Sequence, residues 1–233
     1  MVKTPLVIQL ANGMKMRAYP DCVESSLAFY VRWPDRLEIE WLRQNLSKGE
    51  TVLDIGANIG LWSLLLADVV GKENVFAFEP GRVAFSRLKE NFLLNGISDR
   101  QLMPVALGKE EKEVDFPDPD QPDTCASLLQ DMAATAFRKV HQTTLDLLLP
   151  RFLGKKVVLV KIDVEGGEPE VFQGALKFCR EIRPRLILFE SFTPDHLERC
   201  QRLLHLAGYT LASQPGGKSP PSSPQNHFAI LDE

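Results

Sequence analysis

From residue 51 onward, short apolar runs alternate with longer segments of helical periodicity. Strands that follow one another through helices pair in parallel and are joined by right-handed crossovers. We therefore predict an α/β fold with a doubly wound, Rossmann-like sheet. The predicted strands are TVLDI, NVFAFEP, QLMPVALG, VVLVKID, RLILFE, YTLAS and HFAIL. The predicted helices are LWSLLLADVV, GRVAFSRLKENFLLNG, EPEVFQGALKFCREI and TPDHLERCQRLLHLAGY.

The whole chain, residues 1–233, is expected to form a single domain. Residues 1–48 contain a possible hairpin, LVIQLANGMKMRAYP, and a helix around DRLEIEWLRQNL, so we interpret them as an N-terminal cap on a catalytic core formed by residues 49–233. Two segments interrupt the regular pattern. Residues 109–142 are interpreted as an excursion with one possible irregular strand, and QPGGKSPPSSPQN as a loop. Both are candidate lids over a substrate.

Composition and charge exclude several classes of function. The net charge of −4 argues against a nucleic-acid partner, because phosphate binding needs clustered cations. The chain lacks an apolar run of membrane-spanning length and a secretory pattern, so we expect a cytoplasmic protein without a membrane partner. The scattered cysteines are predicted to be free thiols in a reducing compartment. They are Cys22, Cys125, Cys179 and Cys200.

A metal site is not expected. The four histidines have no ligand spacing. An acidic cluster within the excursion is interleaved with prolines and lacks the spacing of a calcium loop, so a solvated loop is the better interpretation. Its members are Asp115, Asp118, Asp120 and Asp123.

The stretch VLDIGANIG places Gly56 and Gly60 in a turn between a strand and a helix, where backbone N–H groups can face a ligand. Glu79 ends the next strand, where a carboxylate can accept hydrogen bonds from both hydroxyls of a ribose. The glycine spacing is G-x-x-x-G, with Asn58 where a pyrophosphate would need close approach. This pattern favours a ligand with a ribose and no phosphates, and it disfavours an NAD-dependent oxidoreductase.

The stretch VVLVKIDVEGGE carries Lys161, Asp163 and Glu165 at alternate positions, which lie on one face if the strand stays regular. Charges on a buried strand are costly unless they lie at its carboxyl end, where doubly wound sheets bind ligands. Asp163 is the candidate general base or acceptor-orienting group, and Glu165 is its competitor. Lys161 could keep the carboxylate ionised or stabilise an alkoxide. A purely structural Lys–Asp pair is the alternative.

In order along the chain, VLDIGANIG, VFAFEP, LKENFLLNG, PVALG and KIDVEGGEPEVFQGA resemble the FkbM family of S-adenosylmethionine-dependent methyltransferases. The resemblance runs from about residue 50 to residue 190, and KIDVEG is its most specific part. It implies a class I methyltransferase fold, with a seven-stranded sheet in the order 3-2-1-4-5-7-6 and an antiparallel strand 7. It also implies S-adenosyl-L-methionine as the cofactor.

The resemblance assigns three groups of residues to the cofactor. Those at the methionine end would be Asp54, Gly56, Ala57 and Asn58, with Gly60 in the same turn and Asp163 beside it. Glu79, followed by Pro80, would hold the ribose. Val105, Ala106 and Leu107 would border the adenine.

Glu190 resembles the glutamate that ends the family's corresponding strand, so it either contacts the acceptor or is a solvated strand end. His227 could position an acceptor, although an exposed histidine is the preferred interpretation. The family resemblance favours O-methylation of a hydroxyl on a small molecule, sugar or secondary metabolite. An N-methyltransferase acting on an amide or peptide, and a non-catalytic cofactor-binding paralogue, are the alternatives. The chain lacks the Asn/Asp-Pro-Pro-aromatic sequence of enzymes that methylate nucleic-acid bases.

Overall fold

The computed structural model describes residues 4–30, 35–117, 137–212 and 225–232. Its strands are β1 Leu6–Gln9, β2 Lys15–Ala18, β3 Thr51–Ile55, β4 Val75–Phe78, β5 Leu102–Met103, β6 Ala106–Leu107, β7 Lys112–Pro117, β8 Phe137–Thr143, β9 Val157–Ile162, β10 Leu186–Glu190, β11 Tyr209–Leu211 and β12 Asn226–Leu231. Its α-helices are α1 Val23–Tyr30, α2 Arg36–Asn45, α3 Leu61–Val70, α4 Arg82–Leu94, α5 Leu145–Phe152, α6 Glu168–Gln173, α7 Leu176–Ile182 and α8 Pro194–Leu206.

A seven-stranded sheet forms the centre of the fold, in the order β5-β4-β3-β9-β10-β12-β11. Numbered along the chain within this sheet, that order is 3-2-1-4-5-7-6. Strand β12 is antiparallel to both of its neighbours, and the other pairs are parallel. The predicted doubly wound α/β fold is confirmed.

Helices cover both faces of the central sheet because its strands are apolar on both sides. In β10, Leu186 and Leu188 point into the core formed with α2, α3 and α4. Ile187 and Phe189 point into the opposite core, which contains residues of α5, α6, α7 and α8. This double cover buries β3, β4 and β9 along their length. The carboxyl ends of the strands remain as the place where polar side chains can meet a ligand.

The predicted N-terminal hairpin is present as β1 and β2, and it is fastened to α4 by two asparagines. The side chain of Asn95 accepts from the amide of Lys15 at 2.8 Å and donates to its carbonyl at 2.6 Å. The side-chain oxygen of Asn91 accepts from the amide of Arg17 at 2.7 Å, while its nitrogen donates to the carbonyl of Ile59 at 2.9 Å. One side chain therefore links the hairpin to the turn before α3.

Three secondary-structure predictions were wrong. The run QLMPVALG is not one strand: it breaks at Pro104, which has no N–H to donate, into β5 and β6. The excursion contains two regular strands, β7 and β8, which form a separate sheet with β6. The predicted helix EPEVFQGALKFCREI is divided into α6 and α7 at Gly174, where a Cβ would lie 2.0 Å from the carbonyl oxygen of Gly108.

Several other expectations concern residues only partly covered by the structure. Cys22, Cys179 and Cys200 are free and buried, and Cys125 lies outside the described residues. Most of both candidate lids, residues 118–136 and 213–224, also lies outside them. In the described ranges no helix has the length and apolar character needed to cross a bilayer. The same ranges contain no cluster of three or more His, Cys, Asp or Glu side chains suited to a metal ion.

Candidate active site

The carboxyl ends of β3, β9 and β10 lie side by side at one edge of the central sheet. Ile55 pairs with Ile162, and Ile162 pairs with Phe189. The residues that follow these three positions are Gly56, Asp163 and Glu190, so the register places them in one row. The site residues predicted from separate stretches of sequence therefore converge where a doubly wound sheet binds its ligands.

Gly56 is required by the close approach of two strand ends. Its φ is +73°, and a Cβ there would lie 1.7 Å from the carbonyl oxygen of Asp163. Gly60, the residue before α3, has a φ of +93°, and its Cβ would lie 2.6 Å from Leu88. Both positions need glycine for conformation, and Gly56 also needs it for space because backbone cannot move aside as the end of the Leu88 side chain can.

The amides of the glycine turn already have partners within the protein, contrary to the expectation that they face a ligand. The N–H groups of Gly56 and Ala57 both donate to the carbonyl of Phe78 at 3.0 Å. The amide of Asn58, which has a left-handed φ of 48°, donates to Glu79 at 2.8 Å. These bonds hold the turn against β4. The turn can therefore border a ligand, but the amides of Gly56, Ala57 and Asn58 are already used within the protein.

Glu79 is the best-oriented carboxylate of the site. Its Oε2 accepts from the amide of Asn58 at 2.8 Å and its Oε1 from the amide of Gly81 at 2.7 Å. A carboxylate offers about four acceptor positions, so about two remain for a ligand. Burial raises the pKa of Glu79 to about 7, although the two amides oppose that shift. The residue therefore fits the diol of a ribose.

The segment expected beside an adenine follows this carboxylate closely. The amide of Glu79 donates to the carbonyl of Met103 at 3.1 Å, and residues 105–107 come next in the chain. Ala106 and Leu107 are buried, so only the partly exposed Val105 offers a side chain there. The small sheet of β6, β8 and β7 stands alongside: Arg138 of β8 donates to the carbonyl of Pro80 at 2.7 Å.

Phe116 of the same small sheet is a residue that the sequence analysis missed. It is buried, and its ring would lie 3.7 Å from a Cβ on Gly81. Phe116 therefore borders the part of the site next to Glu79 that is assigned to the adenosine.

Lys161 is buried and joins the two strands at the centre of the site. Its Nζ lies 3.3 Å from Asp54 Oδ1, 3.2 Å from Asp163 Oδ2 and 3.4 Å from the carbonyl of Gly56. The contact with Asp54 Oδ1 is an ion pair without hydrogen-bond geometry. Burial alone would lower the pKa of Lys161, but the carboxylates of Asp163, Asp54 and Glu24 outweigh it and raise that pKa. Lys161 thus compensates buried negative charge.

Asp54 and Asp163 differ in exposure although both contact Lys161. The Asp54 side chain is 2% exposed and accepts from the Ser63 hydroxyl at 2.6 Å. The Asp163 side chain is 35% exposed and can reach a bound molecule. Glu165 does not share the face of Lys161 and Asp163, because the strand ends at Ile162 and Glu165 has a left-handed φ of 56°. The predicted alternation was therefore wrong for Glu165.

Glu190 is half-buried next to these acids. Burial raises the pKa of Glu190 to about 8, and the negative charges of Asp163 and Glu165 add to that shift. The expectation of a merely solvated strand end is wrong. At neutral pH the Glu190 carboxyl is mainly protonated and can donate a hydrogen bond.

A family model for the methyltransferase FkbM domain matches residues 54–211, which span the glycine turn, Glu79, Lys161, Asp163 and Glu190. The chain belongs to the FkbM methyltransferase family. It is therefore an enzyme, a methyltransferase, as the motifs predicted. Two curated relatives agree with this assignment. The chain is 24% identical over 189 residues to Methyltransferase 1 of Beauveria bassiana, covering 73% of this chain and 76% of the relative.

The second relative is the hexuronic acid methyltransferase AglP of Haloferax volcanii. It is 30% identical over 176 residues, covering 74% of this FkbM methyltransferase and 69% of AglP. Among solved structures, a SAM-dependent O-methyltransferase from Thermotoga maritima aligns with a TM-score of 0.51 and 13% identity, covering 97% of this chain and 77% of that one. A SAM-dependent methyltransferase from Agrobacterium tumefaciens aligns with a TM-score of 0.50 and 14% identity, covering 100% of this chain and 71% of that one. At these identities the likeness establishes the fold.

The sequence analysis of this FkbM methyltransferase missed Glu24, which α1 brings to the glycine turn. Its Oε2 accepts from the amide of Ile59 at 3.3 Å, the longest of the contacts made by the amides of this turn. Burial raises the pKa of Glu24 to about 8, while the charge of Lys161 opposes the shift. No motif surrounds Glu24 in the sequence, so only the packing of α1 against the core reveals it.

His227 is half-buried rather than exposed, which corrects the preferred interpretation. Its ring lies against that of Phe189, with centroids 5.5 Å apart, and β12 places it beside β10. Burial, and then nearby His196, lower the pKa of His227 below its ordinary value. A neutral imidazole can therefore face the site at neutral pH.

Proposed function

We propose that this FkbM methyltransferase transfers a methyl group from S-adenosyl-L-methionine to a hydroxyl group of a small molecule or sugar, with Asp163 as the general base. The observation that carries the proposal is the position of Asp163. It is a partly exposed carboxylate at the end of β9, held 3.2 Å from a buried Lys161 that is itself anchored to Asp54. A base in this place is fixed in direction and remains accessible.

The cofactor assignment is supported by the donor and acceptor chemistry of the site. Glu79 keeps acceptor positions for a ribose diol, and Pro80 continues that edge. Val105 would border the adenine, with Ala106 and Leu107 contributing backbone only. The methionine end would lie against the turn of residues 56–60 and Asp54. Because Asn58 and the G-x-x-x-G spacing disfavour a pyrophosphate, NAD is not the expected ligand.

The chain's residues would act mainly by alignment. Bound S-adenosylmethionine supplies an electrophilic methyl group on a cationic sulfur. Asp163 would accept the acceptor's hydroxyl proton as its oxygen attacks, and Glu190, protonated at neutral pH, would donate a hydrogen bond that orients the acceptor. The proposed role of Lys161 is to balance the charge of Asp163 and Asp54, with which it forms ion pairs. Glu165, turned off the common face, becomes the less favoured base.

A sugar acceptor is supported by one relative, whose name states that it methylates a hexuronic acid. N-methylation of an amide or peptide remains the second candidate, because the carboxylates could also accept a proton from nitrogen. An acceptor screen with labelled S-adenosylmethionine separates the two, since the labelled methyl group is located on oxygen or nitrogen by mass spectrometry and NMR.

The first experiment is calorimetric titration with S-adenosylmethionine, S-adenosylhomocysteine and NAD. We expect binding of the first two and not of NAD, and loss of binding in Glu79→Ala. The exposed Glu73→Ala is the matched control and should bind as the parent does. Binding of NAD alone, or unchanged cofactor binding in Glu79→Ala, would contradict the proposal.

A further inference from the structure

A buried histidine network lies outside the residues used so far. His196, in the first turn of α8, has its Nδ1 3.0 Å from the hydroxyl of Ser191. Its Nε2 lies 3.1 Å from both the carbonyl oxygen of Gly166 and Glu168 Oε2. The imidazole therefore connects α8, the residue after β10 and the turn after β9. These are the two strand ends that carry Glu190 and Asp163.

The hydrogen-bond pattern places a proton on Nε2 of His196. A carbonyl oxygen can only accept, so His196 Nε2 must carry a hydrogen, which it donates to Gly166. Glu168 Oε2 lies equally close, at 3.1 Å, as a charge contact without hydrogen-bond geometry. Glu168 is fully buried, and its other oxygen accepts from the amide of Val164 at 2.9 Å. His196 and Glu168 together thus hold the residues on either side of Glu165.

The turn that they hold needs such support. Glu165 has a φ of 56° and Gly166 a φ of 99°, so two consecutive residues adopt left-handed conformations. A non-glycine residue in that region costs about 1–3 kcal/mol and persists when surrounding contacts enforce it. The contacts to Val164 and Gly166 act on the residues directly before and after Glu165.

Hydroxyl, imidazole and carboxylate in this order are also the groups of a hydrolytic triad. Here Ser191 is 3% exposed. Its hydroxyl lies 3.3 Å from the carbonyl of Thr193, to which it donates. A nucleophile has to reach its substrate, and Ser191 does not. The network therefore has a structural role: it stabilises the backbone at Val164 and Gly166.

We infer that His196 is a positioning residue: through Gly166 and Glu168 it fixes the turn of residues 163–167 against the end of β10 and so sets how Asp163 faces Glu190. The catalytic part of this inference rests on the proposed function. The positional part does not rest on the proposed function, because His196 makes its contacts within the chain and these do not depend on the identity of the methyl acceptor.

Hydrogen exchange measured by mass spectrometry tests the positional part without any substrate. We expect His196→Ala to speed exchange in peptides that cover residues 163–167. His205→Ala, at the exposed end of the same helix, should leave it unchanged. The amide nitrogen of Gln reaches the place of Nε2, whereas that of Asn reaches the place of Nδ1. His196→Gln should therefore restore slow exchange and His196→Asn should not, and this comparison stands even where the alanine variant fails to fold.

Unchanged exchange in a folded His196→Ala variant, or equal restoration by Asn and Gln, would overturn the inference. Kinetics with an identified acceptor give the second readout. We expect kcat to fall roughly 100-fold in His196→Ala, the size of a misplaced catalytic group. The Kd of S-adenosylmethionine should stay constant, because His196 does not contact the glycine turn or Glu79. A weaker Kd with unchanged kcat would contradict the role. If the exchange results hold and methyl transfer is absent, the proposed function fails and the positional inference stands.

Discussion

The carbonyl oxygen of Asp163 occupies the space in which any side chain at position 56 would begin, since a Cβ on Gly56 would lie 1.7 Å from it. The amide of Asp163 in turn donates to the carbonyl of Ile55 at 3.0 Å. The turn assigned to the cofactor and the turn that carries the proposed base therefore touch through their backbones. A side chain at position 56 would push these two backbones apart.

Gly56→Ala should consequently be among the most damaging small substitutions in the chain. We expect it to lower the free energy of unfolding by more than about 4 kcal/mol, measured by urea denaturation, because backbone must move. Gly49→Ala is the control: its φ is +86° and nothing lies within 4 Å of its Cβ. The control measures only the cost of placing alanine in a left-handed backbone conformation, about 1–2 kcal/mol of unfolding free energy. Equal losses in the two variants would show that the collision does not matter.

Cofactor binding should weaken in acid. The pKa of Glu79 is about 7 in the free protein, and ribose hydroxyls would donate more strongly to its ionised form. Below pH 7 the carboxyl must first lose its proton, so affinity for S-adenosylmethionine should fall by up to about tenfold per pH unit. Calorimetry between pH 5.5 and 8 measures this. Glu79→Gln should bind weakly at every pH, and a flat profile in the parent protein would refute the role.

Asp163 and Glu190 should respond differently to conversion into amides. Asp163→Asn removes the proposed base, and we expect turnover at pH 7 to be lost while S-adenosylmethionine still binds. Glu190→Gln should retain most activity there, because burial raises the pKa of Glu190 to about 8 and an amide imitates the protonated carboxyl. Steady-state kinetics with one acceptor decide the point. The reverse pattern would make Glu190 the base.

The stability of the fold should decline between pH 4.5 and pH 7. Burial raises the pKa of Glu168 from 4.5 to about 7, so the folded chain holds a proton that the unfolded chain releases. The stabilisation is complete below pH 4.5 and is lost as pH rises to about 7, on the order of 3 kcal/mol in all. Glu168→Gln should flatten the dependence of unfolding free energy on pH. The exposed Glu198→Gln should not, and matching slopes in both variants would contradict the assignment.

The position of most site residues could be predicted because strand ends are easy to recognise. Gly56, Glu79 and Asp163 each follow a short apolar run, and parallel pairing brings such ends to one edge. Glu165 was misplaced because alternation holds only while a strand continues. Two glycines follow it, and the backbone turns at Glu165 itself.

Glu24 and His196 could not be predicted for a different reason. Each lies on a helix whose exposed polar residues have no spacing that marks a site, and each reaches its partner across more than 25 residues of chain. The small sheet was missed because Asp and Pro weaken strand patterns. The pairing of β7 with β8, which includes Pro117, is seen only in the three-dimensional structure.

The two asparagines that hold the hairpin have a consequence for how the protein is made. Strand β2 leaves the ribosome early, but the side chains that receive it, Asn91 and Asn95, are added 74 and 80 residues after their partners. At about 5–20 residues per second, the hairpin must wait roughly 4–16 s for its docking site. During that interval the hairpin lacks the helix against which it packs, so the apolar side chain of Met16 stays exposed and is available to a chaperone that binds nascent chains.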